Sequence, residues 1–115
     1  MTLENWEEQL RRGGLEFAVL LTLSGAARYG LEIIRHLEES TDLVVNEGTV
    51  YPLLARLARQ GFLLTEWVSN EGPHPRKYYR LTRDGRDRLD TMVRHWTVFA
   101  SQLNALAKQA RGVSR

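Results

Sequence analysis

Two short runs of this sequence hold the side chains best suited to chemistry. Thr49, Pro52, Arg56 and Arg59 stand three, four and three residues apart, so a helix over 49–60 carries them on one face with Tyr51 at its edge. His74, Arg76 and Lys77 crowd into four residues further on. Arginine can meet guanine through two parallel hydrogen bonds, and Lys or Arg can neutralise phosphate. Both runs suit the binding of a polyanion better than bond making. The charge distribution points the same way. Residues 1–75 carry six Arg against eleven Asp and Glu, a balance of −5, whereas residues 76–115 carry ten Lys and Arg against three Asp, a balance of +7. A solvated basic helix would give the same asymmetry, so charge alone leaves the choice open. Arg outnumbers Lys fourteen to two, which genome composition alone could produce.

Catalysis finds little support. The chain has no cysteine, which removes thiolate nucleophiles, thiolate metal sites and disulfides. His36, His74 and His95 show no metal-ligand spacing, and no Gly-rich phosphate loop is present. Acidic residues near basic ones read as helix-surface pairs, such as Asp84 with Arg88 at i, i+4. The expectation is a protein without metal, cofactor or enzymatic activity. No apolar run nears the ~18 residues of a membrane span and no signal pattern opens the chain, so a soluble cytoplasmic protein is expected.

The elements that must position these residues follow from periodicity. At 115 residues the chain has the length of one domain. Leu3, Trp6 and Leu10 lie at i, i+3, i+7, which predicts a short amphipathic arm over 1–12, stopped by Gly13-Gly14. LEFAVLLTLS (15–24) is apolar all round and reads as a buried helix ended by Gly25. A helix over 29–40 turns Ile33, Ile34 and Leu37 inward. After a connector at 41–48, the helix to Gln60 has Val50, Leu53, Leu54 and Leu57 on its core face. Its cap is Asn46 or Thr49, and Thr49 suits Pro52 better, because proline is tolerated in a first turn.

Beyond Gly61 the pattern becomes that of strands. FLLTEWVS (62–69) and RKYYRL (76–81) flank the turn NEGPHP (70–75), predicting a two-stranded hairpin. Tyr78 and Tyr79 alternate across the second strand, one for the core and one half-exposed, while Trp67 reads as a core or interface aromatic. Thr82 can cap a last helix. There Leu89, Met92, Trp96, Phe99, Leu103, Leu106 and Ala110 alternate spacings of three and four, a heptad seam. A helix over 83–110 is about 42 Å long, whereas the residues before it make a globule only ~30 Å across. The seam therefore overhangs its own domain and predicts a homodimer, with Trp6 of the arm at the same interface.

The order of three helices, a hairpin and a long helix is a winged helix-turn-helix, mainly α with a two-stranded β wing, followed by a C-terminal dimerisation helix. The domain reading is an arm at 1–12, a winged-helix domain at 13–82, and a dimerisation helix with its tail at 83–115. Here a resemblance enters. GTVYPLLARLARQGFL (48–63), Trp67 and RKYYRLTRDGRDRL (76–89) resemble the PadR family of bacterial transcriptional regulators, as does GGLEFAVLLTLSGAARYGLEII (13–34). The resemblance covers residues 13–90, and its motifs, G-T-x-Y-P-L-L-x-R-L and K-Y-Y-x-L-T-x-x-G, are specific when they occur in order. The single C-terminal helix resembles the family's short branch.

That resemblance implies a homodimeric repressor binding an inverted-repeat operator in double-stranded DNA, released by a small aromatic or lipophilic effector. It places Thr49, Tyr51 and Arg56 in the major groove, Tyr29 against phosphate at a helix N-terminus, and Arg76 and Lys77 in the wing. In one branch a tryptophan on the last helix stacks flat drugs between subunits, which implies an effector site at Trp96, with Met92 and Phe99 beside it. A winged helix used only for protein–protein contact is the alternative. Its signs would be a neutral wing and no basic helix face, and neither is present.

Overall fold

The first helix does not stop at Gly13-Gly14. In the computed structural model, which describes residues 2–43, 45–69 and 72–113, α1 runs unbroken over Leu3–Thr22. Glycine lowers helix propensity by about 1 kcal/mol relative to Ala, but it ends a helix only where the backbone turns left-handed. Among the described residues, Gly61 is the glycine with positive φ. Ion pairs Glu7–Arg11 and Glu8–Arg12, at 3.3 and 3.0 Å, brace the turns before the glycines, and the buried Val19 and Leu20 anchor those after. The expected separate arm is thus the N-terminal half of a longer helix.

Strand β1 (Arg28–Tyr29) leads directly into α2 (Gly30–Ser40). Its Arg28 Nε donates to the Thr22 carbonyl at 2.7 Å and so closes the end of α1. Helix α3 (Glu47–Arg59) begins three residues earlier than the preferred cap implied. Asn46 Oδ1 accepts from the Thr49 amide at 3.0 Å, so Asn46 is the cap and Pro52 lies one turn deeper than a first-turn proline. The hydrogen bond that Pro52 cannot make leaves the Gly48 carbonyl on an exposed face, where water can satisfy it.

Gly61, at φ 84°, turns the chain into β2 (Leu63–Val68), which pairs antiparallel with β3 (Arg76–Leu81). Asn70 and Glu71 of the expected turn lie outside the described residues. The sheet is three-stranded, in order β1-β3-β2, and not the two-stranded hairpin expected. Two residues are too few to show a strand's alternation, yet Arg28 and Tyr29 pair with Tyr79 and Tyr78.

The core gathers Val19 and Leu20 from α1, Ile33 and Leu37 from α2, Val50, Leu54 and Leu57 from α3, and Leu63, Tyr79 and Leu81 from the sheet. Tyr79 is buried and Tyr78 only half so, as the alternation predicts. Thr82 Oγ1 accepts from the Gly85 amide at 2.9 Å and donates to the Gly61 carbonyl at 2.6 Å, opening α4 (Arg83–Val113). That 31-residue helix stretches the molecule to 62 × 29 × 22 Å. Leu89, expected on the intersubunit seam, is instead buried in the chain's own core, because the first turns of α4 lie on the body. Met92 is half-buried against that core. The seam emerges only beyond it, with Trp96, Phe99, Leu103 and Leu106 at 50, 55, 46 and 60% exposure.

Candidate nucleic-acid interface

The beginning of α2, one flank of α3 and the base of the wing converge on a cleft of 420 Å³ lined by Tyr29, Gly30, Tyr51, Trp67, Arg76, Lys77 and Tyr79. Tyr29 ends β1 and caps α2, its amide donating to Glu32 Oε1 at 3.2 Å. Its ring lies under the Arg76 guanidinium, 4.5 Å from centroid to carbon, and meets Tyr78 edge-on at 5.5 Å. The Lys77 ammonium stands 5.8 Å from both the Trp67 and Tyr79 ring centres. Aromatic faces thus hold both cations. Among the described residues no carboxylate pairs with either, so both charges are available to an outside anion.

Tyr51 crosses the start of α2. A Cβ on Gly30 would overlap its ring, so the tyrosine lies there only because residue 30 has no side chain. Burial, and after it the Glu47 carboxylate, push the Tyr51 phenol above its ordinary value, which keeps the hydroxyl protonated and able to donate. Burial and then Tyr51 do the same to Tyr79.

The expected α3 face splits into two flanks. Tyr51 belongs to the wing side, whereas the exposed Thr49 borders a cleft on the other flank shared with Glu8, Arg12 and Leu15 of α1. Arg56, expected in a DNA groove, is engaged within the fold: its Nη2 donates to Glu16 Oε1 at 3.1 Å. Arg88 joins the same carboxylate at 3.0 Å instead of pairing with Asp84, because α1 brings Glu16 between the two arginines. The exposed crest of α3 is Gly48, Pro52, Ala55 and Arg59, three small residues and one cation. His74 is exposed in the turn between β2 and β3.

Trp67 is the side chain that sequence reading undervalued. It is 67% exposed, on edge strand β2, with the Lys77 ammonium 5.8 Å from its ring and Tyr29 and Tyr51 across the same cleft. The register Trp67↔Lys77 is a cross-strand pair, a signal available once the hairpin is drawn.

Comparison with known proteins settles the family. Residues 19–91 match the transcriptional regulator PadR-like family. A PadR-like transcription factor from Bacteroides fragilis is 38% identical, with TM-score 0.74 over 89% of this chain and 98% of that one. A PadR family regulator from Eggerthella lenta is 35% identical, with TM-score 0.80 over 90% of each chain. The fold is also that of Bacillus subtilis PadR, solved in complex with operator DNA, at TM-score 0.65 and 23% identity over 69% of this chain and 46% of that one. The chain belongs to the PadR-like family of transcriptional regulators.

PadR-like proteins are transcriptional regulators, not enzymes. No helix among the described residues is long and apolar enough to cross a membrane. The family match ends at Thr91, just before the exposed seam of α4. In this PadR-like chain that seam and α1 form a second apolar recess of 690 Å³, whose lining includes Gly13, Phe17, Met92, Trp96 and Phe99. Phe17 and Trp96 meet there at 6.1 Å with a 54° tilt, so half of the indole is held by its own chain and half is open.

Proposed function

We propose that this PadR-like regulator acts in the cytoplasm as a homodimeric repressor of an inverted-repeat operator. The observation that carries the reading is the cleft in which Tyr29, Tyr51, Arg76 and Lys77 meet beside α3. The N-terminal half of α3 enters the major groove. Its small crest at Gly48, Pro52 and Ala55 allows close approach, while Thr49 and Tyr51 reach base edges from the flanks and Arg59 meets backbone. Arg76 and Lys77, with Tyr29 and the exposed Trp67, follow the adjacent phosphates and sugars, and His74 extends along them. That a PadR is solved with operator DNA supports duplex DNA as the partner. Arg56 has no part in this reading.

Two copies meet through the exposed seam of α4 and the outer face of α1, where Leu3, Trp6 and Leu10 are also in water. These apolar side chains, most of them about half in water, forgo part of the roughly 1.5–3 kcal/mol that full burial of each gives, which a second chain supplies. Ala110 continues the seam toward the helix end. The dimer brings the recesses at Trp96 together, and a flat aromatic or lipophilic effector lodges there, between 690 Å³ walls of a size usual for small ligands. Wedging the helices apart moves the recognition helices from the ~34–36 Å separation that successive grooves require.

Selection of bound sequences from random duplex DNA tests the first part. An enriched inverted repeat is expected, and failure to enrich any motif rejects it. With that duplex, Lys77→Ala is expected to weaken operator and random DNA alike and to lower the salt slope by about one unit. Titration of 1-anilinonaphthalene-8-sulfonate tests the effector recess. Dye affinity unchanged by Trp96→Ala in an intact dimer would leave Trp96 a packing residue.

A further inference from the structure

The Glu16 carboxylate sits where α1, α3 and α4 meet. Its Oε1 accepts from Arg56 of α3 at 3.1 Å, and its Oε2 accepts from Arg88 of α4 through Nη2 at 3.0 Å and Nε at 3.3 Å. The Glu16 side chain is only 18% exposed, and the Arg88 guanidinium is further fixed 4.7 Å over the Phe62 ring. Among the described residues, the ion pairs that join one element to another both end on Glu16. One negative charge therefore restrains two positive ones, and one of those belongs to the helix that faces DNA.

We propose that Glu16 is a positioning residue for operator selectivity. It withholds the Arg56 guanidinium from phosphate and, through Arg88, fixes the orientation of α3 to the dimer helices. This rests on the DNA-binding reading above and adds what limits binding to the correct sequence. A recognition helix with a free arginine on its flank gains affinity for any duplex, because phosphate neutralisation carries no sequence information. Holding that arginine on Glu16, although its side chain keeps 44% exposure, lowers random binding while leaving base contacts intact. Residues next to both Glu16 and Arg88 along their helices line the apolar recess. Phe17 follows Glu16, Gly13 is one turn back, and Met92 is one turn beyond Arg88. A guest that separates α1 from α4 there pulls the two ends of the Glu16 bridge apart. The Arg88 arm of the bridge is then lost, so the carboxylate that holds Arg56 is no longer fixed to α4 and α3 loses its brace, and selectivity falls when the recess fills.

The test compares wild type, Glu16→Gln, Arg56→Ala and the double variant on the selected operator and on random duplex, across salt. Melting temperature and sedimentation are measured alongside. Glu16→Gln is expected to lower the operator-to-random affinity ratio by roughly tenfold, a usual size for coupled contacts. Most of that change should come from tighter random binding and a salt slope steeper by about one unit per freed arginine. Adding Arg56→Ala should remove the gain, whereas Arg56→Ala alone should leave operator affinity near wild type. A parallel loss on both duplexes that tracks melting temperature, or no change on either, overturns the proposal. So does a large operator loss in Arg56→Ala alone, which would make Arg56 a DNA contact. Should Glu16→Gln not fold, Glu16→Asp serves, being too short by one methylene to bridge both guanidiniums, and the same ratio is read.

A second arm adds 1-anilinonaphthalene-8-sulfonate. Dye should lower the operator-to-random affinity ratio of wild type, and should still bind Glu16→Gln with a smaller further change in that ratio. An undiminished response in Glu16→Gln overturns the coupling role. Dye that does not bind wild type rejects the recess, while the affinity ratio still decides Glu16. A wild type that selects no duplex rejects the DNA reading and this proposal with it.

Discussion

Val50, Leu54 and Leu57 of α3 are wholly out of water, whereas Phe99, Leu103 and Leu106 of α4 keep about half of their surface in it. The two sets are equally apolar and equally periodic. They differ in what lies opposite. The α3 stripe faces α1, α2 and the sheet of its own chain, while α4 leaves the body after Met92 with its stripe facing outward. A radius of gyration of 17.1 Å, against ~13 Å for a compact chain of this size, measures that overhang. The lesson is that a heptad pattern reports an apolar contact without saying whose. Where α4 touches the body, Leu89 satisfies it internally. Where it does not, the stripe stays in water, and the proposed dimer is what would cover it.

The largest expected effect separates the regions directly. Leu54→Ala opens a cavity in a fully closed core and should cost about 2–5 kcal/mol, read by chemical denaturation. The equivalent truncation Leu106→Ala should leave the monomer's stability nearly unchanged. Next is Phe99→Glu, which places like charges against each other across a two-fold seam and should split the dimer, at a cost of several kcal/mol. Sedimentation at micromolar concentration checks it, and an intact dimer would show that the seam is not the interface. Two helical glycines then give opposite signs. A Cβ on Gly85 would overlap the Phe62 carbonyl oxygen, so Gly85→Ala should destabilise by about 1–3 kcal/mol. The smallest effect is Gly14→Ala. Nothing lies within 4 Å of a Cβ there, so the variant should gain about 0.5–1 kcal/mol of helix propensity by thermal melting. A loss at Gly14 would mean that a partner chain approaches that backbone closely.

Helical periodicity placed the later helices and the apolar stripe, β-forming and turn composition the hairpin, and residue type the Thr82 cap, because each depends on residues close in sequence. The resemblance in GTVYPLLARL and RKYYRLT pointed to the family and its winged-helix fold before any coordinates. Local reasoning misjudged Gly13-Gly14 and the Asn46 cap. A glycine pair weakens a helix by an amount that buried neighbours such as Val19 and Leu20 override, and the penalty for Pro52 depends on whether its orphaned carbonyl reaches water.

Only tertiary structure could decide the partners of single charged and aromatic side chains. Arg56 and Arg88 are 40 and 72 residues from Glu16, and nothing in their spacing announces that one carboxylate serves both. Trp67 read as a core or interface aromatic and the structure excludes only the core, while Arg28–Tyr29 became a strand only because β3 lay alongside. Backbone periodicity is set by neighbours along the chain. An ion pair or a cation over a ring is set by which helix crosses which, and that depends on the packing of the whole core.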